Sequence, residues 1–394
     1  MGRRLPNQSL GQPGSRPPAG AAFIRPVMIK PVRVLVVLEN GGITGAAIGL
    51  AGILKALPRS EAAVTVARLP ARGRTTALER LIRRRKIEVV QSASPSAGGL
   101  AAAWQANLPH LWYLSSVEML RPDGSERIPL STLTLIGQLS AGIIVSSKGM
   151  KRLLPAALQR KSRVIPNSGV DPAAMPARKP DWLKRKLRLR DETPLVGMIG
   201  NFYPAKRHAD FLKAARMIRR RRPDCRFLIA GLPAGATPAA RKISARYRRK
   251  IDGMIRTLGL TGRVTLTRYR PAERFRWIGG LDLLLAPAWE SLGQGLLEGA
   301  ACGVPIISAN VGGAKELFSN GKSARLVPFG RPDRIAEAAL ALLQNPKQAE
   351  ALARQARTRI SRRFSASAQA KRLAALYRTL AARRHSTGPS SRTA

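Results

Sequence analysis

From Glu290 to Glu298 the chain reads Glu-Ser-Leu-Gly-Gln-Gly-Leu-Leu-Glu, and these residue types at this spacing can hold a phosphorylated ligand. Gly293 and Gly295 let backbone come close to it. A helix starting at about Gln294 offers amides without intrahelical partners and the positive end of its dipole. That is a place for a diphosphate. Glu290 precedes the helix and Glu298 lies in its first or second turn, and both can accept hydrogen bonds from the hydroxyls of a sugar or a ribose. Carboxylates also favour a helix start for dipole reasons alone, and either glutamate taken singly reads that way. The pair, with glycines between and Gly312-Gly313 after it, favours a ligand. A cation stands elsewhere: in Gly200-Asn-Phe-Tyr-Pro-Ala-Lys206, Lys206 follows an apolar run at a strand's carboxyl end, where an ammonium can pair with an anionic ligand. No Asp-x-Asp pair occurs that would suggest a metal in this role.

The elements that position these residues follow from the apolar runs. Leu281–Ala286 reads as a strand buried on both faces. Pro287 ends it, a loop through Gly293 follows, and a helix from about Gln294 to Ala301 stops at Cys302-Gly303. Val304–Ala309 is the next strand. Strand, helix, strand is the parallel crossover unit, whose sheets bind ligands at the strands' carboxyl ends. Upstream, the expected strands are Val32–Leu38, Val64–Leu69, Ile87–Val90, Pro109–Leu114, Ala141–Ser146, Leu195–Ile199, Arg226–Gly231 and Val264–Leu266. The expected helices are Ala46–Leu57, Thr76–Lys86, Gly149–Leu158, Arg241–Leu258, Pro332–Leu343, Pro346–Ile360 and residues 366–382. Ile243, Tyr247, Ile251, Ile255 and Leu258 keep helical spacing and read as core packing. Trp182–Leu187 reads as a short amphipathic helix in a solvated connector.

The Glu290–Glu298 stretch, followed by Gly-Ala-Ala-Cys-Gly-Val-Pro and Val-Gly-Gly-Ala-Lys-Glu316, resembles the E-x7-E signature of family 4 retaining glycosyltransferases. The resemblance implies the α/β GT-B fold, two Rossmann-like doubly wound parallel-sheet domains facing across a cleft. It implies that Glu298 binds the nucleotide ribose and Glu290 the donor sugar. Backbone around Ser291, Leu292, Gly293 and Gln294 would hold the diphosphate. Lys206 matches the family lysine that neutralises the leaving diphosphate, while Asn201 occupies a position more commonly arginine. Gly41-Gly42 resembles a family loop beneath the diphosphate, and a tight turn without ligand contact reads equally well there. Arg163–Asp171 resembles the family's Ile-Pro-Asn-Gly-Val-Asp segment with one serine inserted.

One departure stands out. Pro109–Leu114 resembles the strand leading to the family's active-site histidine, but Ser115 or Ser116 occupies that position. The chain's three histidines are His110, His208 and His385; His110 opens a strand and reads as structural. The expected activity is metal-independent, cofactor-free transfer of a hexosyl group, with retention, from a nucleoside-diphosphate sugar to a glycan or lipid-linked acceptor in cell-envelope polysaccharide synthesis. The alternatives are a degenerate relative that binds donor without efficient transfer, and a nucleotide-sugar epimerase of the same fold.

The 394 residues are enough for two cores. The expected order is a disordered leader over 1–30, an acceptor domain over 31–172, a linker over 173–190, a nucleotide-sugar domain over 191–362, a helix over 363–382 returning to the first domain, and a loose tail over 383–394. Met28 is a candidate start. Lysine and arginine number 69 against 22 acidic residues, a net charge of +47, and such a field favours polyanions. The clusters are scattered and read mainly as solvated helix faces, with an anionic membrane surface as the candidate partner. No nucleic-acid recognition module is present, so no specific nucleic acid is expected. No apolar run approaches the ~20 residues of a membrane span, and two cysteines form no disulfide or zinc pattern. These features fit a cytoplasmic protein, peripheral on the inner face of the cell membrane.

Overall fold

The computed structural model describes residues 30–39, 45–69, 75–93, 97–114, 130–175, 178, 180–231 and 238–386. The leader, Met28, Gly41, Gly42, Ser115, Ser116 and the last eight residues lie outside these. The first sheet comprises β1 (Val32–Glu39), β2 (Ala62–Leu69), β3 (Val89–Ser92), β4 (His110–Leu114), β5 (Gly142–Val145) and β6 (Ser162–Val164). Between them run α1 (Gly45–Lys55), α2 (Thr76–Arg85), α3 (Ala97–Gln105), α4 (Leu130–Leu139), α5 (Lys148–Leu153) and α6 (Ala156–Lys161). After α7 (Pro180–Lys186) the second sheet follows: β7 (Leu195–Ile199), β8 (Arg226–Gly231), β9 (Val264–Arg268), β10 (Leu283–Ala286), β11 (Ile306–Ala309) and β12 (Arg325–Val327). Its helices are α8 (His208–Arg221), α9 (Pro238–Thr257), α10 (Arg274–Gly279), α11 (Gln294–Ala301), α12 (Ala314–Leu317), α13 (Pro332–Gln344), α14 (Pro346–Phe364) and α15 (Ala366–Ser386).

Both sheets are parallel and doubly wound. Their orders are β2-β1-β3-β4-β5-β6 and β12-β11-β10-β7-β8-β9. Winding reverses between β1 and β3 in one and between β7 and β10 in the other. A crevice opens at such a reversal, because the chain leaves neighbouring strand ends in opposite directions. Val196 pairs with Leu283 and Gly197 with Leu284 across the second reversal. Apolar runs on these strands face helices on both sides, so β7 and β10 are buried almost throughout. The last helix, α15, leaves the second domain and buries Leu373, Ala374 and Tyr377 against β1 and β3 of the first.

Three local expectations give way. The helix expected over Gly149–Leu158 is two, α5 and α6, because Pro155 lacks an amide and forces Leu154 to extended backbone (φ −75, ψ 150). The stretch from Trp182 is not a solvated connector. Leu183 is fully buried in the second-domain core, and Trp182 meets Trp277 edge-on at 6.0 Å. Asp282 gathers Lys184 at 3.2 Å, Arg178 at 3.2 Å and the Leu195 amide at 2.8 Å. Ile243, finally, is exposed while its neighbour Ser244 is buried; the stripe on α9 takes hold only from Tyr247 onward.

Candidate functional site

Two loops meet where the second sheet reverses. After β7, residues Pro204–Lys206 form one 3-10 turn. Arg207 then turns the chain into α8 in the left-handed region (φ 55), which is uncommon for a residue with a side chain. An ion pair to Asp210 at 2.5 Å and the Phe329 ring at 4.7 Å hold Arg207 in that turn. The Lys206 stem lies over Gly200, where a Cβ would stand 3.4 Å from Lys206 Cγ. After β10, the loop carries Glu290. Lys206 Nζ donates to Glu290 Oε1 at 2.5 Å, joining residues 84 positions apart. Both side chains are about one-quarter exposed (28% and 24%), so a ligand can reach the pair.

The loop then enters α11. Leu292 is buried and pins it. Gly293 takes φ 89 as the N-cap residue and provides no capping side chain, so the opening amides of α11 are not occupied by their own N-cap. Gly299 lets α11 lie close on β10, since a Cβ there would come within 2.4 Å of Leu284. Asn201 and Ser291, both partly exposed, sit in the loops that follow β7 and β10.

Glu298 is a different kind of acid from Glu290. It is almost fully buried, and Arg274 Nε and Gln294 Nε2 both donate to its Oε1 at 3.1 Å. Burial pushes its carboxyl above the usual range, while the Arg274 charge and the two hydrogen bonds pull it back. Arg274 carries no signal in the sequence. It begins α10, one arginine among Arg270, Arg274 and Arg276 in an arginine-rich chain, and no spacing sets it apart.

The downstream glycines are explained by backbone approach. Gly313 N donates to Glu290 O at 2.9 Å. A Cβ on Gly312 (φ 55) would lie 2.1 Å from Glu290 O, and one on Gly313 2.3 Å from Leu292 Cα. Any larger residue would push the two loops apart.

His110 and His208 serve structure. His110 is buried, with Nε2 2.9 Å from Ser92 Oγ and Nδ1 2.9 Å from Ser140 Oγ, and burial holds it down to about 4. His208 lies between Phe202 and Tyr247; burial, then the Lys206 charge, lowers it to about 4.

Residues 181–359 match the family model described as Glycosyl transferases group 1, a span that takes in every strand of the second sheet. Alpha-D-kanosaminyltransferase of Streptomyces kanamyceticus is 29% identical over 192 residues, covering 48% of this chain and 47% of that protein. A GDP-mannose-dependent monoacylated alpha-(1-6)-phosphatidylinositol monomannoside mannosyltransferase of Corynebacterium glutamicum is 27% identical over 329 residues, 77% of this chain and 80% of that one. Among solved structures, Anabaena HepE in complex with UDP-glucose superposes with a TM-score of 0.75 at 18% identity, covering 88% of this chain and 100% of that one. The chain spans about half the length of the first curated relatives it matches (47% and 48%). The fold is GT-B, as the sequence implied. The family model falls on the second domain, and the solved neighbours share the whole fold.

Proposed function

We propose that the protein is a retaining, metal-independent glycosyltransferase that moves a hexosyl group from a nucleoside-diphosphate sugar to a glycan or lipid-linked acceptor in cell-envelope polysaccharide synthesis. The observation that carries this reading is the Lys206–Glu290 contact at the reversal between β7 and β10, beside the glycine-led start of α11. A diphosphate would lie against the opening amides of α11, with Asn201 and Ser291 at its margin. Lys206 would turn from Glu290 to the phosphate and neutralise the charge that grows there as the glycosidic bond breaks. Glu290 would then accept hydrogen bonds from the donor sugar. Glu298, held by Arg274 and Gln294, would receive the ribose hydroxyls. In retaining transfer by front-side attack, the leaving phosphate itself helps to deprotonate the acceptor, so no protein base is required on the described residues.

The names of the relatives support this donor class: one uses GDP-mannose and one solved neighbour was captured with UDP-glucose. The lipid-linked acceptor of the first also supports a lipid acceptor here. Among the described residues no helix is long and apolar enough to cross a membrane, and exposed Arg83–Lys86 at the end of α2 gives a cationic surface for anionic lipid. A second reading, donor binding without efficient transfer, draws on the histidines, since His110 and His208 are both spent on packing. Thermal shift with a panel of UDP- and GDP-sugars tests donor binding, because a ligand that binds only the folded state raises its melting point. Product anomers read by NMR after transfer to lipid extracts test the reaction. A donor that stabilises the protein with no transfer to any acceptor would select the second reading, and no stabilisation by any donor would reject both.

A further inference from the structure

Glu316 lies in the second domain, yet its carboxylate is spent on the first. Oε1 accepts the Gly149 amide at 2.8 Å and Oε2 the Lys148 amide at 3.0 Å. Ser147 Oγ takes the next amide, Met150, at 3.1 Å. The leading donors of α5 are therefore satisfied, two of the three by a residue 167 and 168 positions downstream. Charge-assisted bonds of this kind are about twice as strong as neutral ones.

The other end of the connection reaches the donor loop. Glu316 sits on α12, directly after Gly312-Gly313, whose backbone lies against Glu290 and Leu292 as described above. Arg359 on α14 fixes α12 from behind, donating to Leu317 O at 2.6 Å and Glu316 O at 3.2 Å. On the near side, Trp289 packs into the first-domain cluster containing Met150 and Leu154. The Glu290 loop is thus tied to the first domain twice, directly by Trp289 on that cluster and, through α12, by the two oxygens of Glu316 on the leading amides of α5.

We propose that Glu316 is a positioning residue: it fastens the Glu290 loop to α5 and so sets the offset between the donor carboxylate and the domain that faces it across the cleft. Its effect on sugar transfer rests on the function proposed above; the fastening rests only on these contacts. A residue acting in this way should leave the bare nucleotide site alone, because Lys206, Glu298 and α11 all belong to the second domain.

The test uses the full chain with introduced cysteines at exposed Arg160 and Lys347, one in each domain; both native cysteines are buried. Spin-label distances are measured for the parent, Glu316→Gln, Glu316→Ala and the neighbouring control Lys315→Ala, without substrate. The expected result is a broadened or lengthened distribution for Glu316→Ala, a smaller change for Glu316→Gln, which keeps one acceptor oxygen, and none for Lys315→Ala. Affinity for UDP and GDP should stay within about twofold, while transfer measured at limiting acceptor should fall about tenfold or more, as two lost charge-assisted bonds imply. Unchanged distances in folded Glu316→Ala would overturn the fastening. Broadened distances with undiminished transfer would overturn the positioning role. Since the distance measurement needs no substrate, a parent protein that transfers no sugar would refute the proposed reaction and leave the fastening decided on its own.

Discussion

The two sheets wind alike but spend their polar residues differently where the winding reverses. At the β7–β10 reversal, an ammonium and a carboxylate face each other, partly open to solvent. Beside the first-sheet reversal, β3 carries Gln91 and Ser92, both fully buried; Gln91 receives Tyr377 Oη at 2.8 Å and Ser92 meets His110 at 2.9 Å. One polar set is an ion pair open to solvent. The other ties β3, β4 and the returning α15 together. Among the described residues, the charged pair at a reversal therefore belongs to the second sheet, and the first sheet's buried polar residues serve packing.

The largest expected break in that contrast is Lys206→Ala. Removing a positioned cation from a leaving phosphate costs on the order of 100-fold or more in turnover, against a much smaller loss in nucleotide affinity; weaker nucleotide binding with kcat unchanged would show a binding role only. Glu298→Gln comes next. It removes a charged acceptor and should weaken nucleotide binding by about 1.5–3 kcal/mol per hydrogen bond, measured by titration calorimetry, whereas Glu290→Gln should damage transfer more than nucleotide binding. Because Glu298 titrates above an ordinary carboxyl, nucleotide affinity should begin to fall on acidification earlier than a solvated glutamate would cause.

On the structural side of the comparison, His110 sharpens the contrast through stability. Its folded pKa of about 4 lies below the unfolded value of 6.5, so the unfolded chain binds the proton first. Its contribution is complete above pH 6.5 and fades as pH falls toward 4, by up to about 3 kcal/mol over that window. His110→Asn should flatten denaturant midpoints over that range without changing nucleotide affinity at pH 7.5. A slope as steep as the parent's would place the proton elsewhere. The smallest effect concerns the surface. Association with vesicles containing anionic lipid should weaken steeply between 50 and 300 mM salt, a range over which the screening length shortens about 2.5-fold from ~14 Å; binding indifferent to salt would remove the membrane from the proposal.

Much of the second domain was legible because apolar runs there are bounded by glycine and proline. β7, β8 and α11 fall where the sequence places them. The first domain hid more. α3 reads Ala-Gly-Gly-Leu-Ala-Ala-Ala-Trp-Gln, with no apolar stripe to announce a helix. It lies so close to β3 that a Cβ on Gly99 would meet Ser92 Oγ at 2.3 Å. Within the site, residue types and spacing pointed to Lys206, Glu290 and Glu298 but not to their partners. The Lys206–Glu290 pair depends on two strands 84 residues apart lying side by side, and Arg274 reaches Glu298 from a separate helix. Spacing along a chain carries no record of such contacts. Glu316 was legible as part of a motif, and its reach to α5 was not.

The most direct test of the central claim is a structure of the protein with the nucleoside-diphosphate sugar that stabilises it most. The expected result places the diphosphate against the first turn of α11, Lys206 within hydrogen-bonding distance of a phosphate oxygen and no longer confined to Glu290, and the ribose at Glu298. A nucleotide bound elsewhere, with the Lys206–Glu290 and Arg274–Glu298 pairs undisturbed and the start of α11 empty, would contradict it.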